Sequence, residues 1–176
     1  MTAHHDSTAP NLLLRELHAA HSLILRDLQA CRSLVDSAGS VTADSPLPRL
    51  AALRRMSLLI RTRQDLLGLC RLLREHHDLE DTIVLPPVRV AAPHLTSLVE
   101  HLHADHQELD GMLERIETTL LASGSPGDAS ITLARLAVAL DDLGTWLRQH
   151  FEREEMVLGP VIEAWPSWPR PALPET

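Results

Sequence analysis

The chain has 176 residues, 24 of them acidic and 16 basic, and its formal net charge is −8. Every basic residue is an arginine and no basic patch dominates the sequence, so we do not expect nucleic acid as the main partner. No apolar run reaches the roughly 18 residues of a membrane span, and the N-terminus lacks a hydrophobic leader segment. We therefore expect a cytoplasmic protein with no membrane partner. With one Phe and no Tyr, the core must be aliphatic, which favours helices.

The spacing of apolar residues predicts two long helices in the first half of the chain. The first runs from Asn11, which can cap it, to about Ser37. The second opens at residues 47–49 and should stop at Pro86 and Pro87, because proline removes a backbone donor. Its apolar positions at helical spacing lead up to a histidine: Leu50, Leu53, Met56, Leu59, Ile60, Leu66, Leu69, Leu73 and His76. Both cysteines, Cys31 and Cys70, lie in these apolar patterns and are predicted to be small buried side chains rather than a disulfide or a zinc site.

Two more helices are predicted in the second half. The third starts near Pro93, which suits a first turn, and ends near Leu121. The fourth begins at residues 128–130 and ends just before Gly159 and Pro160. Four long helices with short links predict an all-α fold, an antiparallel up-down-up-down four-helix bundle. We assign the bundle to residues 11–162, with a flexible N-terminus at 1–10 and a Pro/Trp-rich tail at 163–176.

One sequence pattern occurs twice in the chain. Residues 73–88 read LREHHDLEDTIVLPPV, and residues 147–162 read LRQHFEREEMVLGPVI. Each copy places a histidine four residues before a glutamate: His76 with Glu80, and His150 with Glu154. Residues four apart lie on one face of a helix, so each copy presents an imidazole beside a carboxylate.

The other two helices repeat each other as well. The first contains LHAAH, ending at His21, and the third contains LHADH, ending at His106. The chain is therefore two helical hairpins of one design, which implies pseudo-two-fold symmetry. Counted from the helix ends, all four histidines lie about 15–20 Å from the same end of the bundle. The pattern predicts a histidine and carboxylate cage in the core.

A metal site accounts for this cage better than a metal-free core. A buried unpaired carboxylate costs several kcal/mol, and so does a buried charged imidazole, whereas a divalent metal pair removes both costs. Nitrogen and carboxylate ligands without thiolate suit iron, manganese or zinc. The predicted metal ligands are one histidine from each helix and the two carboxylates: His21, His76, Glu80, His106, His150 and Glu154.

These motifs resemble the hemerythrin-like (HHE cation-binding) domain family, over about residues 11–162. The resemblance rests mainly on the paired segments HHDLED and HFEREE. It implies two non-haem iron ions with a bridging oxo or hydroxo group, the two glutamates as bridges, and an open position for O2, peroxide or NO. Redox chemistry, such as weak catalase-like peroxide decomposition, or sensing would be the biological use.

The chain departs from the oxygen-carrying hemerythrins. The third helix offers His101, His103 and His106, none of them four apart, and the last motif is HxxxE rather than HxxxxD. Simple oxygen storage is therefore not the expected role. His18 and His103 lie on the same faces as the predicted ligands and are alternative ligands or their partners. The residues next to the motifs, His77, Asp81 and Glu155, are expected at the rim or in solvent, and His101 at the surface.

Three alternatives remain open from the sequence. The protein could be an iron or oxygen sensor without turnover, whose melting temperature depends on metal. It could hold a single zinc or nickel ion through three histidines, or it could be a metal-free bundle that chelators do not affect. A monomer or a homodimer is expected, with a small diatomic molecule or peroxide as the ligand.

Overall fold

The computed structural model describes residues 11–40, 47–122 and 129–167. Its elements are, in chain order, α1 Leu12–Gly39, α2 Pro48–Leu79, a π-helical turn Glu80–Val84, α3 Leu85–Ala91, a 3-10 turn Pro93–Leu95, α4 Thr96–Leu121 and α5 Ala129–Ile162. The predicted all-α four-helix bundle is confirmed, with α2, the π-helical turn and α3 forming its second member. The predicted flexible N-terminus, residues 41–46 and 123–128 in two of the links between predicted helices, and the end of the tail, including Trp168, lie outside the described residues.

The bundle has two apolar clusters with a polar layer between them. The larger cluster is built from the aliphatic faces of all four long helices, including Ile24, Leu73, Leu109 and Leu147. The smaller cluster lies toward the α5 C-terminus and holds Leu13, Leu17, Val84, Leu85, Val88, Val99, Leu102, Val157, Leu158 and Ile162. On every helix the predicted site histidine lies between residues of these two clusters. The layer is therefore closed by aliphatic packing on both sides.

The prediction that Pro86 and Pro87 end the second helix is wrong. The Leu85 N–H donates to the Glu80 carbonyl, five residues back, so one extra residue is accommodated in the π-helical turn. The two prolines then fall in the first turn of α3, where their missing N–H groups cost little. The helix resumes and continues to Ala91, and single π-helical turns of this kind are frequent at functional sites.

The predicted end of the fourth helix is also wrong, because α5 continues through Pro160 to Ile162. Pro160 is exposed and removes one hydrogen bond from the final turn only. Asn11 supports this end: its Nδ2 lies 3.0 Å from the Ile162 carbonyl oxygen and 2.9 Å from that of Glu163. The same side chain caps α1 as predicted, since its Oδ1 accepts from the Leu13 N–H at 2.8 Å.

In the first half of α2, Leu59 packs half-buried against the larger cluster, but the other predicted apolar positions do not reach the core. Leu50, Leu53, Met56 and Ile60 are 54–68% exposed. The buried positions of the helix begin at Thr62. Both cysteines are buried and free, as predicted, and burial raises the pKa of Cys31 to about 12 and that of Cys70 to about 11.

Among the described residues, no single helix is long and apolar enough to cross a membrane. The segments Pro48–Ala91 and Pro93–Leu121 meet the length and composition criteria only as a pair, across a bend of 119°.

Candidate metal centre

The structure brings all six predicted ligands together in the polar layer. Five of these residues are 1–5% exposed: His21, Glu80, His106, His150 and Glu154. The side chain of His76 is slightly more open, at 12%. Pseudo-two-fold repeats in the sequence thus correspond to one shared site rather than to two separate ones.

One group of ligand atoms surrounds the histidines of the first hairpin. His76 Nε2 lies 3.0 Å from Glu80 Oε1, and His21 Nε2 lies 3.8 Å from the same oxygen. His21 Nε2 is also 3.4 Å from Glu154 Oε2. Ligand atoms of these four residues all lie within 4.8 Å of one another, which suits one metal ion.

A second group surrounds the histidines of the second hairpin. It contains His77, His106 and His150, whose ligand nitrogens also lie within 4.8 Å of one another. The other oxygen of Glu80, Oε2, is 3.7 Å from His106 Nε2. Glu154 Oε2 is 3.7 Å from His150 Nε2. Each carboxylate therefore reaches both groups, which is the placement expected of a ligand that bridges two metal ions.

Among the described residues, the nitrogen and oxygen atoms that face the centre have no hydrogen-bond partner in good geometry. They are Nε2 of His21, His76, His106 and His150, both ring nitrogens of His77, and both carboxylate oxygens of Glu80 and Glu154. Leaving one buried polar atom unpaired costs about 1–3 kcal/mol, so the set is costly in a metal-free core. Nitrogen and carboxylate donors converging in this way fit transition-metal cations.

Sequence reasoning missed His77. It was expected at the rim, but it is 4% exposed, and its ring centroid lies 4.3 Å from that of His106. The signal was the heptad-like register of the buried residues, since His77 follows Leu73 by four and precedes Glu80 by three. His76 lies one residue outside that register, which explains why it is the more exposed of the two.

The pseudo-symmetry is broken at this position. Phe151 follows His150 as His77 follows His76. Each ring crosses to the other hairpin: His77 lies against His106, and Phe151 stacks on His21 with centroids 3.9 Å apart and planes at 3°. One side of the centre therefore has three imidazoles, whereas the other has two and a phenyl ring that cannot bind a metal.

Three carboxylates orient the buried imidazoles from behind. His21 Nδ1 lies 2.7 Å from a carboxylate oxygen of Glu155, and His106 Nδ1 lies 2.9 Å from one of Asp81. His150 Nδ1 lies 3.3 Å from a carboxylate oxygen of Asp105. Such contacts set the tautomer, so that the unprotonated Nε2 faces the centre. Asp81 and Glu155 thus act at the rim, as the sequence analysis expected.

The exposed histidines His18 and His103 do not face the centre. His18 Nε2 is 3.5 Å from Glu155, and His103 Nδ1 is 3.0 Å from Asp81. Of the two roles considered from the sequence, their positions fit that of partners to the supporting carboxylates. His101 is exposed, as expected, and contacts the Ser97 carbonyl.

The buried carboxylates and imidazoles shift one another's pKa values. Burial opposes protonation of His21, but the nearby carboxylates of Glu154 and Glu80 outweigh it and raise its pKa to about 10. Burial lowers the pKa of His76 to about 4 and lowers that of His77 still further. Burial and the neighbouring Glu154 raise the pKa of Glu80. Burial opposes ionisation of Glu154, but its contact with His21 outweighs this and lowers its pKa. Without metal, a protonated His21 is therefore the counter-ion of Glu154.

A cavity of about 370 Å³ leads to the two-histidine side of the centre. It lies between α1 and the second helix with its π-helical turn, and it is lined by Glu16, Leu17, Ala20, His76, Leu79, Glu80, Ile83 and Val84. Its lining is mainly apolar except at the metal end. His76 and Glu80 are the two predicted ligands among its lining residues.

The fold and this cluster of nitrogen and carboxylate donors define a cation-binding helical bundle. The sequence model of the hemerythrin HHE cation binding domain matches residues 12–162, and the chain belongs to this family. Neither the curated proteins nor the solved structures gave a significant match.

Proposed function

We propose that this protein is a non-haem di-iron protein that binds O2, peroxide or NO on the two-histidine side of its centre and serves a redox or sensing role. The observation that carries the proposal is the pair of ligand groups joined by Glu80 and Glu154. Two groups that share both carboxylates fit two metal ions close together, and they fit poorly with the mononuclear zinc or nickel alternative.

Iron, when bound here, would supply reversible one-electron steps at each ion. His77, His106 and His150 would hold one ion, and His21 and His76 the other, with the glutamates spanning both. Carboxylates behind His21, His106 and His150 keep their donor nitrogens turned inward. The aliphatic clusters on both sides exclude bulk water from the centre.

The place for a small ligand is the side where protein ligands are fewer. Phe151 covers His21 there without offering a donor atom, so this side has one imidazole fewer than the other. The apolar cavity ends at His76 and Glu80 on the same side. An incomplete ligand set and an access route therefore coincide, which supports binding of a small, uncharged or weakly charged molecule.

Purification without added metal, followed by elemental analysis, tests the proposal. We expect about two irons per chain, as implied by the two ligand groups, and an oxo-to-iron charge-transfer band in the near ultraviolet. The double substitution His76→Ala and His150→Ala should remove both ions, whereas His101→Ala at the surface should keep them. A colourless protein without iron, or one with a single zinc, would overturn the proposal.

Sustained consumption of peroxide would distinguish an enzymatic role from a sensing role. A peroxide-decomposing enzyme consumes peroxide continuously with iron bound. A sensor shows a large metal-dependent shift in melting temperature and no sustained consumption. Measuring both on the same iron-loaded sample decides between the two uses of the site.

A further inference from the structure

Four of the exposed apolar residues of α2 lie on one face of the first half of this helix, where Ser57 interrupts the apolar spacing. Leu50, Leu53 and Ile60 follow the spacing of a and d positions in a heptad repeat, and Met56 lies beside them. All four lie within an arc of about 120° on the helix. The exposed fraction is 61% for Leu50, 68% for Leu53, 54% for Ile60 and 62% for Met56. We call these four residues the α2 seam.

Arginines flank the α2 seam on both sides. Arg54 and Arg61 occupy the e positions on one side, and Arg49 and Arg63 occupy g positions on the other. All four are exposed. Residues 47–64 contain five of the 16 arginines and no acidic residue, although the whole chain carries 24 acidic residues. This segment is a basic island on an acidic protein, and it ends at Asp65, which lies 3.6 Å from the exposed Arg61.

From this pattern we propose that the α2 seam is the docking surface for an amphipathic helix of a partner protein whose own flanking positions are acidic. Apolar a and d residues would pack into the seam, and Glu or Asp at the partner's e and g positions would pair with the arginines. Charges at e and g positions set partner choice in paired helices, so the occupant is identified by charge complementarity.

A second copy of this chain fits the seam badly. Helices that pair in either direction bring e and g positions of the two partners together, and here every charged e or g position is an arginine. Like charges at such positions oppose association. Self-pairing through this surface would therefore place several arginines against one another.

An anionic membrane surface also fits badly. Residues 47–64, which form this face, contain no Phe, Trp or Tyr that could act as an aromatic anchor. A bilayer is wider than the protein, so it would also meet the acidic remainder of the chain, which it repels. A single acidic helix contacts the basic island alone.

The test uses two synthetic peptides of about three heptads, both with Leu at a and d, one with Glu at e and g and the other with Lys there. Fluorescence anisotropy with the full chain should show binding of the Glu peptide, weakening with salt, and no binding of the Lys peptide. The double variant Arg54→Glu and Arg61→Glu should bind the Glu peptide about tenfold or more weakly than the unaltered protein does. The double variant Leu53→Gln and Ile60→Gln should abolish binding.

A matched control is available on α5, where Arg135 and Val138 are also exposed. Arg135→Glu with Val138→Gln should leave peptide binding unchanged. Since all the altered side chains are exposed, circular dichroism and metal content should be the same in every variant.

Three results would overturn the proposal. The first is no binding of the Glu peptide, or equal binding of both peptides. The second is a dimer in sedimentation that Leu53→Gln with Ile60→Gln converts to a monomer, which would assign the seam to a second copy. The third is binding to phosphatidylserine vesicles that the same variants abolish while the Glu peptide does not bind.

Discussion

Asp81 and Glu155 hold equivalent positions in the two hairpins, and each supports a histidine of the other hairpin. Asp81 accepts from His106 at 2.9 Å, and Glu155 accepts from His21 at 2.7 Å. Each directly follows one of the two buried glutamates, Glu80 and Glu154, in the chain. In each hairpin, one helical turn therefore carries both a carboxylate that faces the centre and a carboxylate that orients a histidine of the other hairpin.

Removing one of these supports should weaken metal binding without unfolding the bundle. We expect Glu155→Ala to lower metal affinity by about 10–100-fold, because His21 loses the contact that sets its tautomer. Competition with a chelator measures the change. Glu152→Ala, an exposed neighbour on the same helix, should bind metal as the unaltered protein does. Equal affinity in both variants would show that Glu155 is not a support.

His77 should decide whether the second metal ion binds. His77→Phe copies the residue that the other hairpin has at this position, so the three-imidazole group is reduced to two. We expect the stoichiometry to fall from two ions toward one, as measured by elemental analysis of refolded and reloaded protein. His101→Phe at the surface is the control. Two tightly held ions in His77→Phe would contradict the role of His77 as a ligand.

The reverse change should close the open side. Phe151→His places a third imidazole against His21, where the phenyl ring now stacks at 3.9 Å. The variant should keep both metal ions and lose the binding of azide, a small anionic probe, followed by its visible charge-transfer band. If azide binds Phe151→His as well as it binds the unaltered protein, the small-ligand position lies elsewhere.

The metal-free protein should be most stable near pH 6.5, the ordinary pKa of histidine. His76 has its pKa lowered to about 4 by burial, so the unfolded state binds the extra proton between pH 4 and 6.5, and stability rises with pH there. His21 has its pKa raised to about 10, so its contribution is lost as pH rises from 6.5 to 10. Melting temperatures across this range check both limbs.

Metal should change the alkaline limb of that profile. A bound cation replaces the proton on His21, so metal binding should release a proton near pH 8 and tighten as pH rises. Calorimetry in buffers of different ionisation enthalpy counts the proton. A metal-free protein whose melting temperature is flat from pH 6.5 to 10 would contradict the assignment of His21 as the counter-ion.

The cavity beside His76 should control access. Ala20 lines it, whereas Ala19 on the same helix is exposed. We expect Ala20→Phe to slow the reaction of the iron-loaded protein with peroxide while metal content stays the same, because the new ring fills part of the route. Ala19→Phe should react at the unaltered rate. Equal rates in stopped-flow measurements would show that the ligand enters by another path.

Much of this centre could be predicted from the sequence because helices have a fixed repeat. Four-residue spacing put His76 beside Glu80 and His150 beside Glu154, and equal distances from the helix ends placed His21 and His106 at the same depth. The internal repeat then indicated one shared cage. These are properties of single helices and of their order, and a local pattern specifies them.

Only the tertiary structure decided which faces meet. A helical pattern does not say which apolar stripe is covered, so the exposure of Leu50 and Leu53 and the burial of His77 came from the packing of α2 on its neighbours. The π-helical turn, which carries the chain past Pro86, was also seen only in the structure. By itself the sequence determined the helices, their repeat and six converging side chains. The crossing of His77 and Phe151 between hairpins, which makes the two sides of the centre unequal, exists only where four helices pack together.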